Sequence, residues 1–169
     1  MDDLKERRSF LRASRLKLKK GDILDVGLEG CACMSFFMAE RGFNVTGIDP
    51  SSWAIHISRR NAKKEKMRGS FQAKRANAEK MPFRDNMFDA VIAYNSLHHI
   101  EDLKAAISEI SRVCKKGGWI LISDLNEHGE CKHPIKKGFL NRVHSLLVAK
   151  RKSIRILDRK SKRMFFCRK

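Results

Sequence analysis

Two glycines, Gly27 and Gly30, follow the apolar run Ile23-Leu24-Asp25-Val26, and an acid, Asp49, closes the next apolar run at residues 43–49. Glycine lets a backbone come close to a ligand, and a turn that opens a helix offers free N–H groups to a carboxylate or phosphate. An acid at the tip of the following strand is placed to accept hydrogen bonds from the two hydroxyls of a ribose. Each part has a plainer use, because strand-to-helix packing wants small residues and Asp49 can cap the next helix. The pair together points to a ribose-bearing ligand. Farther on, His98 and His99 end another apolar run. An imidazole, with an unperturbed pKa of about 6.5, can take a proton there, or one ring can pack under the following helix while the other caps it.

The five cysteines, Cys31, Cys33, Cys114, Cys131 and Cys167, are odd in number and read as reduced thiols. Cys31-x-Cys33 lacks the Cys-x-x-Cys spacing of a metal knuckle or redox site, and Cys131-x-His133 with His128 is a cluster without a second half. Packing accounts for both, and no metal site is expected.

The elements that must position these groups alternate. Residues 3–18 form a basic amphipathic helix with Leu4, Phe10, Leu11 and Leu16 as apolar positions. A buried strand at 22–26 leads through the glycine turn into a helix that stops at Gly42, and a second strand ends at Asp49-Pro50. Ser51-Ser52 caps the next helix. A weaker strand at 71–76, a polar loop at 77–87 and a central strand at 88–97 follow. Residues 98–115 read as a helix, Lys115-Lys116-Gly117-Gly118 as a turn and 119–125 as a strand. A helix at 134–151 and two short strands joined as a hairpin close the chain. This alternation implies an α/β sheet, mostly parallel, with helices on both faces and ligands beyond the carboxyl ends of the strands.

A chain of 169 residues suits one domain, read as 1–169 with an N-terminal helix in 1–20 and a basic helical region at 126–152 near the acceptor of any reaction. No secretory leader and no stretch approaching the roughly 20 apolar residues of a membrane span is visible, so the expectation is a soluble, cytoplasmic protein. The 37 Lys+Arg against 19 Asp+Glu give a formal charge of +18, concentrated in 131–169, where Asp158 is the one acid. Such a field attracts polyanions, RNA among them, but it also suits a solvated surface, and aromatic residues for base stacking are few.

Nicotinamide dinucleotides and S-adenosyl-L-methionine both use a glycine turn with an acid after the next strand. The runs ILDVGLEGCA, FNVTGIDPS, NAEKMPFRDNMFDAVIAYNSLHHIED and LKAAISEISRVCKKGGWILISD resemble the class I S-adenosylmethionine-dependent methyltransferases, in particular their small-molecule and quinone-type branch. The resemblance is continuous over residues 20–125, and FFCRK looks like that family's last strand. It implies a Rossmann-like class I methyltransferase fold: a mostly parallel seven-stranded sheet with an antiparallel C-terminal hairpin strand. It also implies the cofactor S-adenosyl-L-methionine, with Gly27 and Gly30 along its methionine part, Asp25 supporting the turn and Asp49 on the ribose. Pro50 and Ser51 would lie near the adenine, Asn77-Ala78 at its edge, Tyr94 and Asn95 along the cofactor, and His98 and His99 beside the methyl-transfer pocket. Asn77 stands where that family more often has Asp, and Tyr94 can instead pack.

That family's turn is Gly-x-Gly-x-Gly. An ungapped match puts Glu29 and Cys31 on the second and third glycines, with a carboxylate near the cofactor's own. The interval from Asp25 to Asp49 is one residue longer than the family's usual spacing. An extra residue at Leu28-Glu29 makes Gly30 the second glycine and Ala32 the third position, leaving Glu29 in a bulge facing solvent or the cofactor ammonium. Three functional readings follow: a methyltransferase acting on a small molecule, one acting on RNA or the ribosome, and a non-catalytic basic module on a degenerate methyltransferase scaffold. A dehydrogenase stands behind all three.

Overall fold

The computed structural model describes residues 3–14, 16–28, 30–125, 142–143, 145–146, 154–159 and 162–168, the last two segments by their backbone pairing. The order is α1 (Asp3–Ser14), β1 (Asp22–Val26), α2 (Cys33–Ala39), β2 (Asn44–Asp49), α3 (Ser52–Ala62) and β3 (Ser70–Arg75). Then come β4 (Phe88–Tyr94), a 3-10 turn (Leu97–His99), α4 (Leu103–Val113), β5 (Cys114–Leu125), β6 (Ile154–Arg159) and β7 (Lys162–Arg168). Five strands run parallel in the order β3-β2-β1-β4-β5. Beyond β5 the order continues β7-β6, both paired antiparallel.

Alternating side chains send each central strand into two layers. Leu24, Val26, Val91, Ala93, Ile120 and Ile122 pack with Ile107 and Ile110 of α4 on one face. Ile23, Val45, Ala90, Ile92 and Leu121 pack on the other face with Phe37 and Met38 of α2 and Phe10 of α1. The near-continuous apolar runs of β1 and β4 follow from this double burial. α3 lies over the β2–β3 edge, where Ile55 meets Leu28, Phe36 and Ala73.

Several sequence expectations shift. α1 ends at Ser14, and Leu4 is half exposed while Phe10 is fully buried. The loop at 77–87 is polar in composition, yet Ala78, Met81 and Phe83 are buried in it. The reason is Arg112, whose guanidinium donates to the carbonyls of Met81 and Phe83 and to Asp85 and Glu109, while Glu109 accepts from Met81 N–H. The helix read over 98–115 divides into the 3-10 turn and α4, because Asp102 caps α4 by accepting from Ala105 N–H. The turn read at 115–118 falls inside the bounds of β5, where the chain loops out between the Cys114–Phe88 and Trp119–Ala90 pairs with Gly117 at φ 75°. The sulfurs of Cys31 and Cys33 touch across one intervening residue, and Cys114 is a buried thiol near the Trp119 carbonyl. Cys131, His128, His133 and most of the expected helix at 134–151 lie outside the described residues.

Candidate functional site

At the carboxyl ends of β1, β2, β3 and β4 lies a cleft of about 630 Å³. Its walls include Gly27, Asp49, Pro50, Asn77, Ala78 and Ser96, with His99, Ile100 and Glu101 at one side. Parallel strands place it there, since every strand delivers its loop to the same edge.

Gly27 has φ 89°, and its N–H donates to the Ile48 carbonyl at 2.9 Å, tying the turn to β2. A Cβ at Gly27 would overlap the Cβ of Ser96, whose hydroxyl donates to the Val26 carbonyl. Asp49 binds both sides of the cleft floor: Oδ2 accepts from Leu28 N–H at 3.0 Å and Oδ1 from Ser51 N–H at 2.8 Å. A carboxylate oxygen has two lone pairs, so each retains one for a ligand hydroxyl. Asn77 Oδ1 accepts from Glu79 N–H at 2.8 Å, which fixes the loop beside Ala78.

Other residues singled out by sequence sit around the cleft in different roles. Asp25 is buried beneath the turn and accepts from Ser35 Oγ at 2.6 Å. Gly30 (φ 73°) lies under the Trp53 indole, 2.6 Å from where a Cβ would sit, and Ala32 is buried with φ 51° at the start of α2. Ser51 caps α3, accepting from Ala54 N–H. Tyr94 is buried and meets Phe10 edge-on at 5.3 Å, and Asn95 takes φ 55° with its N–H on the Ser123 carbonyl. Glu29 lies outside the described residues.

The two histidines part company. His98 has a side chain only 4% exposed, its Nδ1 2.6 Å from Asp124 Oδ1, whereas His99 is exposed and lines the cleft. A carboxylate only accepts, so Nδ1 of His98 carries the proton. Asp124 Oδ2 also accepts from Leu97 N–H, so one buried acid holds the whole 3-10 turn. The two imidazoles lie with ring centroids 4.0 Å apart.

Sequence reasoning missed Asp124, Glu79, Glu101, Ser96 and Arg7. Asp124 had a usable signal, since it closes β5 on the same edge as Asp49 closes β2. Arg7 had none: α1 folds back so that its guanidinium reaches the Cys33 carbonyl at 3.3 Å. Burial lowers the Arg7 pKa, while Tyr94, Glu40 and Asp25 nearby favour its charge.

Residues 24–122 match the family model described as a methyltransferase domain. The chain belongs to that family. Its fold is that of the class I S-adenosylmethionine-dependent methyltransferases, as in the crystal structure of a SAM-dependent methyltransferase from Methanosarcina mazei. The likeness there has a TM-score of 0.76 at 20% identity, over 94% of this chain and 96% of that one. Among curated relatives, O-methyltransferase rstn1 of Aspergillus nomiae is 30% identical over 85% of this chain and 60% of its own length. The ubiquinone biosynthesis O-methyltransferase of Alkalilimnicola ehrlichii is 34% identical over 63% of this chain and 42% of its own. The methyltransferase domain thus spans about half the length of the curated relatives it matches.

Proposed function

We propose that the domain binds S-adenosyl-L-methionine in the cleft at Gly27 and Asp49 and transfers its methyl group to a hydroxyl-bearing small molecule. The observation that carries this reading is Asp49, whose two oxygens are each half used by backbone N–H groups and face a cleft of ligand size. The walls fit the rest of such a molecule: Ile48, Pro50 and Ala78 are apolar beside Asp49, as an adenine requires, with Asn77 at the edge. The turn from Gly27 through Gly30 to Ala32, supported by Asp25, would take the methionine end, with Tyr94 and Asn95 behind it and Ser51 holding α3 in place. When bound, the cofactor supplies a methyl group already activated on a sulfonium.

The chain's own residues then have to align the acceptor, exclude water and take a proton. His99 is the residue on the cleft wall suited to receive the hydroxyl proton, and His98 with Asp124 positions it from behind. This assigns different work to two adjacent histidines. Relatives named as O-methyltransferases support a hydroxyl acceptor. The β6–β7 hairpin is read as the pair that completes a seven-stranded sheet of this fold, within one domain over 1–169, and the region 126–152 as the neighbour of the acceptor. Among the described residues no helix is long and apolar enough to cross a membrane, and a cytoplasmic location is part of the same proposal.

Calorimetric titration with S-adenosyl-L-methionine and S-adenosyl-L-homocysteine tests the reading. Binding in the micromolar range is expected; a folded sample that takes up neither at millimolar concentration sinks it. A chain that binds RNA with a steep salt dependence and methylates no hydroxylated metabolite would move the acceptor to RNA.

A further inference from the structure

The cleft of this strongly basic chain is itself acidic. Its walls carry three carboxylates, Asp49, Glu79 and Glu101, and one imidazole, His99. None of the described residues lining it is a lysine or an arginine, although the chain has 37 of these. Three different elements deliver the acids: Asp49 ends β2, Glu79 follows β3 and Glu101 precedes α4. Glu79 Oε1 accepts from Asp102 N–H at 3.0 Å, which joins the segments of Glu79 and Glu101 into one wall. Backbone N–H groups are neutral, so the bonds they make to Asp49 and Glu79 leave each carboxylate its charge. Arg75, whose Nε donates to the Pro50 carbonyl, is exposed and does not line the cleft. Even with His99 protonated, three negative charges stand against one positive charge.

We infer that this acidic wall makes the cleft selective for a cationic cofactor: it holds the sulfonium form, S-adenosyl-L-methionine, more tightly than the thioether S-adenosyl-L-homocysteine, with Glu79 and Glu101 setting the preference. This rests on the cleft being the cofactor site. The two ligands share the adenine, the ribose and an amino-acid end whose ammonium and carboxylate cancel, so they differ by one methyl group and one positive charge. Low-dielectric walls lined by one sign of charge focus the field on whatever lies between them. In the transfer the C–S bond breaks with its electron pair going to sulfur, the acceptor oxygen bonds the methyl carbon, and the hydroxyl proton passes to His99. The positive charge thus moves from sulfur to the imidazole, where the same carboxylates stabilise it. The spent cofactor, now without net charge, loses its attraction to the wall. One set of acids therefore favours both cofactor uptake and product release.

Calorimetric titration of the full chain with S-adenosyl-L-methionine, S-adenosyl-L-homocysteine and sinefungin, which bears an ammonium on carbon in place of the methylated sulfur, reads the preference without turnover. At about 20 mM salt both cations should bind about tenfold more tightly than the thioether, and at about 0.5 M salt screening should shrink the ratio to about threefold. Glu79→Gln with Glu101→Gln keeps an acceptor oxygen for Asp102 N–H and removes two charges. With its fold checked by circular dichroism, this variant should lose most of the ratio by weakening the two cations. Glu65→Gln removes an exposed acid that does not line the cleft and should leave the ratio unchanged. Equal affinity for the three ligands, tighter binding of the thioether, or a ratio that neither salt nor the double substitution alters overturns the preference and leaves the cofactor reading in place. An equal change in Glu65→Gln also overturns it, since the effect would then belong to net charge. If a folded sample binds none of the three, the cofactor reading and the preference both fall.

Discussion

Replacing Asp49 by Asn changes one atom in the residue that ties the glycine turn, α3 and the proposed ribose site together. Its two oxygens accept from Leu28 N–H and Ser51 N–H at 3.0 and 2.8 Å. An amide has one acceptor and one donor end, so either orientation leaves a backbone N–H facing an NH2 group. The Leu28 bond is partly buried and the Ser51 bond exposed, so the amide keeps its oxygen on Leu28 and the variant loses about 0.5–1.5 kcal/mol of folding stability, the net value of the Ser51 bond. Binding carries a separate loss. A hydrogen bond to a charged acceptor contributes about 1.5–3 kcal/mol and to a neutral one about 0.5–1.5, so two ribose hydroxyls lose roughly 2 kcal/mol, or about 30-fold in Kd. Urea unfolding measures the first quantity, and calorimetry with S-adenosyl-L-homocysteine measures the second. A variant less stable but with unchanged Kd would refute the ribose role, leaving Asp49 a structural tie. Unchanged stability would refute the hydrogen-bond argument itself.

Arg112→Lys removes the planar fork that joins two loop carbonyls, Asp85 and Glu109, and lysine cannot reproduce it; a loss of about 2–3 kcal/mol is expected in urea melts, and an equally stable variant would contradict it. The hydrogen bonds from Arg112 hold the Glu109 carboxyl below its ordinary range. A lowered acid contributes stability that is complete above the ordinary glutamate pKa of about 4.3 and lost as pH falls through the lowered value, so the acid limb of the stability–pH curve should flatten in Arg112→Lys. Gly27→Ala places a Cβ on Ser96 at a φ of 89°, so melting should show a loss greater than about 1 kcal/mol together with weaker cofactor binding.

The elements that build the cleft were legible because their physics is local. Unbroken apolar runs mark β1 and β4, which are covered on both faces, and Asp49 stands out because it ends such a run. Other features escaped for equally specific reasons. The loop at 77–87 looks solvent-borne because its buried residues are pinned by an arginine from α4, and no local pattern reports a partner some thirty residues away. Lys115–Gly118 looks like a turn by composition, and in the fold it is the stretch of β5 that loops out between the Cys114 and Trp119 pairings with β4.

The sequence by itself determined the alternation of strands and helices, the glycine turn and the acid that follows it, since these depend on side-chain period, conformational freedom and position at a strand end. It also placed His98 and His99 at the ligand edge. Only the tertiary structure decided which of them faces the cleft: a 3-10 turn advances about 120° per residue, so neighbours point to different surroundings. Asp124, brought beside them by the pairing of β4 with β5, captures His98 and leaves His99 on the wall.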